Sequence, residues 1–401
     1  MLTPKLSLDF TSATLDSRIA FARALNTATS VNASGFIETV NADVARFDYN
    51  SLTLACKGLL VEEQRQNIIF PSNAFANAAW TPTEASVVSV ANVDPEGNAN
   101  SQKLLDTAVS SFHRIGITLS IVPGTNTISI YAKAAEITCF SFIRSGSSLG
   151  TARFNLATMT ATNIADATNL QMIQEKNGWV RCSMTFTASA TVTRTLFIQL
   201  ENPAGTLTFA GTGTNGLFLY GIQREVGAFP TSYIPTTTTA LTRNADVATI
   251  SGANFSDFWQ ASKGGAQVQA IPSTVSGIRP LVQYDDNTAN NLIALRGNAA
   301  NPELQIVDGG APQVQLDAGT IVANTPYSLT GWWQTNDCKA RQNSGATVSD
   351  DTATIPTVTQ ARLGSDGTNY LNGHLATINY YDRFSSQIYT RRKNKAVFSL
   401  L

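Results

Sequence analysis

Apolar and polar residues alternate one by one along much of this chain. The clearest runs put their apolar positions at Ile128, Ile130 and Ala132, at Cys182, Met184 and Phe186, and at Leu196, Ile198 and Leu200. A period of two places successive side chains on opposite faces of an extended strand, so each run predicts a strand with one buried face. Turn signals separate the runs, and no long segment shows a helical period. The pattern therefore predicts an all-β protein.

The alternating runs divide the chain into three parts. Residues 1–66 hold short runs and too few apolar residues for a core of their own. They predict an extended arm that docks on the following domain or on a neighbouring subunit. Residues 67–240 combine short strands with regularly spaced turns, which predicts a β-sandwich or jelly roll. After a threonine-rich linker that begins at residue 236, residues 241–401 predict a second β-sandwich.

Composition limits the classes of function. Of 401 residues, 43% are hydrophobic and only 14% are charged, and the net charge is −1. Without a long basic tract, binding of nucleic acid through its phosphates is disfavoured. The sequence contains no run of about 18 apolar residues, so we expect no membrane-spanning segment, and the N-terminus lacks an apolar signal core. The four cysteines form no CxxC pair, so we expect buried free thiols.

Catalytic residues are hard to assemble from this sequence. The two histidines, His113 and His374, fall in different predicted domains and near no nucleophile motif, and we expect His374 to be a partly exposed strand residue. Acidic pairs occur at 62–63, 285–286 and 350–351. Neighbouring residues on a strand point to opposite faces, so no adjacent pair can present both of its carboxylates to one substrate. We predict that the protein is not an enzyme, although a glycan depolymerase built from distant acids stays open.

Sugar binding would need an aromatic ring beside neutral hydrogen-bonding side chains. Trp80, Trp179 and Tyr284 are the candidates for glycan stacking, and the alternative for each is a place in the core or at an interface. Phe112 and Tyr131 are further aromatic candidates. No cofactor is predicted. The turn at 94–98 (DPEGN) offers oxygen ligands for a structural calcium ion, and a simple Asx turn is the other interpretation.

Two sequence segments, which we call the opening and closing phrases, lie at the two ends of the middle part of the chain. GLLVEEQRQNIIF begins at residue 58 and is followed by FANAAW, and YGIQREVGAFPTSYIP begins at residue 220 and is followed by TRNADV. With NGWVRCSMTF at 177–186, they resemble phrases of a β-sandwich domain in virion proteins of tailed bacteriophages, a domain similar to carbohydrate-binding modules. The resemblance covers about residues 6–247. The final segment, LGSDGTNYLNGHLATINYYDR at 363–383, resembles the last strands of a concanavalin-like or laminin-G-like sandwich.

The resemblance implies a virion component that is assembled in the cytoplasm of a bacterial host. It implies a capsid-decorating, head-fibre or tail-associated subunit, packed against other virion proteins as a homotrimer. The low charge favours this, because neutral surfaces cost less to desolvate. A receptor-binding tail adhesin that contacts host surface polysaccharide is the alternative. In the opening phrase, Glu62 and Glu63 are expected to contact Arg65 or Arg224.

Overall fold

The computed structural model describes residues 3–24, 27–146, 150–202 and 204–383. These residues form antiparallel β-strands joined by turns, with one short helix, α1, at Ala253–Ser256 and 3-10 turns at Phe10–Ser12 and Lys176–Gly178. The prediction of an all-β protein built from β-sandwiches is confirmed. None of the described helices is long and apolar enough to cross a membrane.

The first strands in chain order are β1 Leu6–Asp9, β2 Ala20–Ala22, β3 Ala28–Val31, β4 Ile37–Val40, β5 Phe47–Tyr49, β6 Cys56–Val61, β7 Arg65–Asn67, β8 Thr81–Thr83, β9 Ala85–Val90, β10 Ser101–Asp106, β11 Ser110–Phe112, β12 Arg114–Ile121, β13 Gly124–Ala134, β14 Cys139–Arg144, β15 Thr151–Asn155, β16 Thr160–Ala165 and β17 Thr168–Gln174. The remaining strands are β18 Val180–Ala188, β19 Val192–Glu201, β20 Thr208–Ala210, β21 Gly216–Val226, β22 Leu241–Arg243, β23 Val247–Ser251, β24 Lys263–Pro272, β25 Ile278–Asp285, β26 Leu292–Asn298, β27 Asn301–Asp308, β28 Ala311–Asp317, β29 Tyr327–Gln334, β30 Asp337–Gln342, β31 Val348–Asp350, β32 Gln360–Leu363 and β33 Gly373–Tyr381.

The strands belong to two compact units. Unit 1 comprises Met1–Thr27, Val40–Gln64 and Asn244–Leu401, and unit 2 comprises Ala28–Thr39 and Arg65–Arg243. Unit 1 is therefore assembled from three separate pieces of the chain, whereas nearly all of unit 2 is continuous.

Unit 1 is a sandwich of an eight-stranded and a seven-stranded sheet. The first has the order β31-β30-β29-β24-β33-β6-β5, with β1 also paired to β33, and the second has the order β2-β23-β32-β25-β26-β27-β28. Val268 and Ile378 from the first sheet and Ile250 and Ile293 from the second are fully buried in one shared core. Burial of apolar faces from both sheets holds them together.

The N-terminal segment is not a separate arm, which corrects the sequence prediction. Leu6 and Leu8 pair in register with Tyr380 and Ile378 and are buried in the core of unit 1. Strand β2 extends the second sheet through β23, and β5 and β6 extend the first sheet beside β33. The segment lacks a core of its own because its apolar residues in unit 1 complete the core that residues 244–383 build.

Unit 2 is a sandwich of two six-stranded sheets. One has the order β17-β18-β13-β21-β10-β9 and the other β16-β15-β14-β19-β12-β8, with three two-stranded ribbons, β3–β4, β7–β22 and β11–β20, around them. All nine inward positions predicted from the alternation lie in its core and are at most 1% exposed: Ile128, Ile130, Ala132, Cys182, Met184, Phe186, Leu196, Ile198 and Leu200.

Candidate functional site

The three tryptophan and tyrosine candidates for glycan stacking are core residues. Trp80 is 3% exposed, and Trp179 and Tyr284 are each 1% exposed. The indole N–H of Trp80 donates to the Pro71 carbonyl at 3.2 Å, and that of Trp179 donates to the Val93 carbonyl at 2.9 Å. A ring with no accessible face cannot stack on a sugar, so the stacking prediction is wrong for all three. Their aromatic area stabilises the core instead.

Of the two further aromatic candidates, only Phe112 reaches the surface. Phe112 is 40% exposed, whereas Tyr131 is buried against Tyr220 and Tyr233. Tyr131 and Tyr220 lie opposite each other on β13 and β21. Tyr131 therefore belongs to an aromatic cluster inside unit 2.

Both histidines are buried. In unit 2, the ring nitrogens of His113 lie 2.6 Å from the Glu84 carbonyl and 3.0 Å from the Phe209 carbonyl, so the ring joins two backbone segments. In unit 1, His374 is 7% exposed, which corrects the expectation of a partly exposed strand residue. Its Nε2 lies 2.8 Å from Oδ2 of Asp48, and Asp48 also pairs with Lys57.

The His374 cluster favours a neutral imidazole. The Asp48 carboxylate accepts a hydrogen bond from Nε2–H, while Nδ1 is buried without a hydrogen-bond partner. A second proton on Nδ1 would therefore be a buried, unsatisfied donor. Burial and the nearby charge of Lys57 lower the pKa of His374, and Asp48 opposes this only in part. Although burial alone would raise it, Lys57 and His374 hold the pKa of Asp48 below its usual value.

Unit 1 contains a buried charge cluster of Arg23, Arg46, Glu62 and Asp246. Nη1 of Arg23 lies 3.0 Å from Asp246, and Nη2 of Arg46 lies 2.8 Å from Glu62 and also pairs with Asp246. Asp246 accepts a further hydrogen bond from the Glu62 backbone N–H at 2.9 Å. Arg23, Arg46 and Asp246 are fully buried. Burial alone would lower the pKa of Arg46, but Asp246 and Glu62 raise it.

Within unit 1, Glu62 and Glu63 both have polar partners. Glu62 pairs with Arg46, and Glu63 bonds to the side chain of Asn372. Arg224 donates to the Ser120 carbonyl and to Asn126 within unit 2. The expected contact of these glutamates with Arg65 or Arg224 would link residues of the two units, and it stays a prediction. Arg46 pairs with Asp246, which lies about 200 residues away in the sequence, so sequence proximity does not identify this partner.

The turn at 94–98 has the geometry of an Asx turn. Oδ1 of Asp94 accepts from the backbone N–H of Glu96 and of Asn98, both at 2.9 Å. The carboxylate thus caps its own loop. Among the residues that the structure describes, no group of three or more His, Cys, Asp or Glu side chains is arranged to hold a metal ion.

An open groove lies along the outer face of the second sheet of unit 2. Its volume is about 500 Å³. We call it the β12–β19 groove, and it is lined by Ile68, Phe70, Ala79, Thr81, Thr83, Arg114, Gly116, Ile117, Thr118, Leu119, Thr195 and Phe197. Strand pairing explains the lining, because Thr81 lies opposite Gly116 and Thr118 lies opposite Thr195.

Hydroxyl groups and an exposed ring distinguish this groove. Thr81, Thr83, Thr118 and Thr195 supply four hydroxyls, and those of Thr118 and Thr195 lie 3.1 Å apart. Phe70 is 41% exposed. A threonine hydroxyl both donates and accepts hydrogen bonds, and an exposed ring offers an apolar face. The groove can therefore hold a neutral polar ligand that has apolar C–H surfaces.

The floor of the groove depends on Gly116. Phe197 lies beside it on β19, and a Cβ atom at residue 116 would approach the Phe197 ring to 2.7 Å. Glycine therefore lets this ring lie close to β12. The guanidinium carbon of Arg114 lies 3.9 Å from the centroid of the Phe197 ring, which is a cation–π contact.

Sequence reasoning missed this groove, although one signal was present. In β19, Leu196, Ile198 and Leu200 point into the core, so Thr195 and Phe197 must point outward. A phenylalanine at an outward position beside threonines was the informative feature. Selecting Trp and Tyr for their size pointed to the core instead.

Comparisons with known proteins identify no family. No protein-family model and no curated protein matches this chain. Among solved structures, the carbohydrate-binding module CBM40 of the Ruminococcus gnavus IT-sialidase bound to alpha2,3 sialyllactose is 15% identical, with a TM-score of 0.28 over 32% of this chain and 79% of that chain. Domains LG4-5 of the mouse laminin alpha1 chain are 9% identical, with a TM-score of 0.24 over 78% and 89%. The xylan beta-1,4-xylosidase of Bacillus halodurans C-125 is 9% identical, with a TM-score of 0.21 over 92% and 97%. At these TM-scores the likenesses assign neither a family nor a function to this chain.

Proposed function

We propose that this protein is a non-enzymatic virion subunit of a tailed bacteriophage and that it binds host surface glycans through the β12–β19 groove. The observation that carries the glycan proposal is the groove itself, which four threonines and several apolar residues line beside the exposed ring of Phe70. Its volume of about 500 Å³ is within the size range of small-ligand sites. Sugars present hydroxyl groups at their edges and C–H groups on their faces, and the lining of the groove complements both.

The virion part of the proposal rests on the sequence. The phrases at 58–80 and 220–247 resemble those of phage virion sandwiches, and only 14% of the residues are charged. Neutral, hydroxyl-rich strands suit subunits that pack against other virion proteins or against one another as a homotrimer. A receptor-binding tail adhesin and a head-associated subunit are the two placements to distinguish. Immunogold labelling of intact virions distinguishes them, and label found only in unassembled host lysate would contradict the virion role.

The glycan proposal is tested with the full chain on an array of bacterial surface polysaccharides. Thr118→Val is the most conservative variant, because it keeps the shape of an exposed side chain and removes only a hydroxyl. Phe70→Ala removes the exposed ring. Phe218→Ala is the matched control, because this partly buried phenylalanine lies on β21 in the opposite sheet of the same unit.

We expect wild type and Phe218→Ala to bind the same polysaccharides, and Thr118→Val and Phe70→Ala to bind them at least about fivefold more weakly, as the loss of one hydrogen bond or one contact surface predicts. Equal binding by all four proteins would place any glycan site outside the groove. A blank array for wild type would contradict glycan binding altogether.

A further inference from the structure

Among the described residues that line the β12–β19 groove, Arg114 alone is charged. It begins β12, and strand pairing places it between Thr83 on β8 and Gln199 on β19. Its guanidinium carbon lies 3.9 Å from the ring centroid of Phe197 and 5.2 Å from that of Phe112. A guanidinium in a cation–π contact can still donate hydrogen bonds from its N–H groups.

The Arg114 side chain has no hydrogen-bond or ion-pair partner within the described part of the chain, and its Nε is buried. The acidic residue of β19, which lies on the same face as Phe197, is already engaged. Glu201 pairs with Nε of Arg153 at 2.8 Å and accepts a hydrogen bond from Ser141. Burial lowers the pKa of Arg114, and no carboxylate offsets this cost.

A ligand carboxylate would supply the negative charge that the described residues do not place beside Arg114. Its two oxygens match the paired N–H groups of a guanidinium, and such a charge-assisted contact is stronger than a hydrogen bond between neutral groups. The four threonine hydroxyls of the groove are neutral and would contact the rest of the sugar. A positive group without a counter-charge in a polar, neutral groove is complementary to an acidic sugar, whereas a purely neutral sugar would leave the guanidinium unpaired.

We propose that the β12–β19 groove selects glycans that contain a carboxylated sugar, and that Arg114 binds the carboxylate. This inference rests on the proposed glycan-binding function, whose failure the experiment must separate from its own. A structural role for Arg114, limited to packing on Phe197, is the competing explanation.

The test uses the full chain and an array in which each bacterial surface polysaccharide is spotted twice, native and after chemical reduction of its carboxylates to alcohols. Arg114→Gln removes the charge, and Arg114→Lys keeps the charge without the planar pair of donors. Lys133→Gln is the matched control. This lysine lies 6.0 Å from the ring centroid of Phe218 in the opposite sheet, and burial lowers its pKa as well.

We expect wild type to bind native uronic-acid polysaccharides about tenfold or more tightly than their reduced forms, as the loss of a hydrogen bond to a charged group predicts. Arg114→Gln should bind native and reduced forms equally, at the level of wild type on the reduced form. Arg114→Lys should fall between them, and Lys133→Gln should match wild type. A packing role would weaken both forms to the same extent.

Each other outcome has a definite meaning. Equal wild-type binding to native and reduced polysaccharides, with loss in Thr118→Val, would overturn the acidic-sugar inference and leave the glycan proposal intact. Binding that survives carboxyl reduction but is lost after dephosphorylation would also overturn it, in favour of a phosphorylated glycan. A blank array would overturn both.

Discussion

Asp246→Asn should destabilise unit 1 far more than an ordinary loss of a surface charge. The substitution keeps the shape of the side chain but removes the negative charge that faces Arg23 at 3.0 Å and also faces Arg46. Glu62 still pairs with Arg46, at 2.8 Å. The guanidinium groups of Arg23 and Arg46 are both fully buried, and they would lose the negative charge of Asp246 that balances them.

The magnitude follows from burial. Removing one partner of a buried ion pair costs about 3–5 kcal/mol, because the remaining charge stays desolvated. For a unit of roughly 200 residues, this corresponds to a fall in melting temperature of roughly 6–20 °C. Asp382→Asn is the matched control in the same unit. Asp382 pairs at 3.7 Å with Lys5, which is 55% exposed, and such surface pairs contribute at most about 1 kcal/mol.

Urea-dependent pulse proteolysis with mass spectrometry measures this, because peptides from β24 and β33 report on unit 1 and peptides from β13 and β18 report on unit 2. We expect Asp246→Asn to lower the urea midpoint of the unit 1 peptides and to leave the unit 2 peptides unchanged. Equal urea midpoints of the unit 1 peptides in Asp246→Asn and Asp382→Asn would show that the buried charge cluster does not stabilise unit 1 in this way.

Three further predictions concern the same framework. Gly58→Ala should strongly destabilise unit 1, because Gly58 has φ +107° and a Cβ atom there would collide with the Leu375 carbonyl; thermal unfolding checks this, and a loss below about 1 kcal/mol would contradict it. Because the pKa of His374 is lowered in the folded state, its contribution to stability is complete above about pH 6.5 and is lost as the pH falls below that value. The urea midpoint of unit 1 should therefore fall between pH 7 and pH 5 in wild type and change less in His374→Gln, and equal slopes would contradict this. All four cysteines are free and three of them are buried, so a thiol reagent should label only half-buried Cys56 rapidly in the native protein and all four after unfolding.

The sequence predicted the strands of unit 2 well because their signal is local. Ile128 and Ile130 alternate with polar residues, and the same alternation placed Met184 and Phe186 in the core. A one-residue shift would expose each set, so a clear alternation specifies which face is buried. Predictions that depend on this parity alone succeeded.

The sequence did not show which strands pair across long distances. Leu8 pairs with Ile378, about 370 residues away, and no local pattern identifies that partner. Residues 1–66 therefore looked like an arm without a core. Burial of large aromatics was equally hidden, since the alternation around Tyr284 does not reveal that Trp259 and Trp333 enclose it.

Only part of the candidate site could be predicted from the sequence. The outward position of Phe197 follows from the inward positions of Leu196 and Ile198 on the same strand. The contribution of Gly116, opposite Phe197, requires the register between β12 and β19. The stacking of Arg114 on that ring depends on side-chain geometry that strand parity does not encode.

The most direct test of the account is the hydrogen-exchange footprint of the full chain with a polysaccharide that it binds. We predict slower exchange in peptides that cover β8, β12 and β19, and unchanged exchange in the opposite sheet of unit 2 and throughout unit 1. Protection confined to unit 1, or bound polysaccharide without protection along β12 and β19, would contradict a glycan site in this groove.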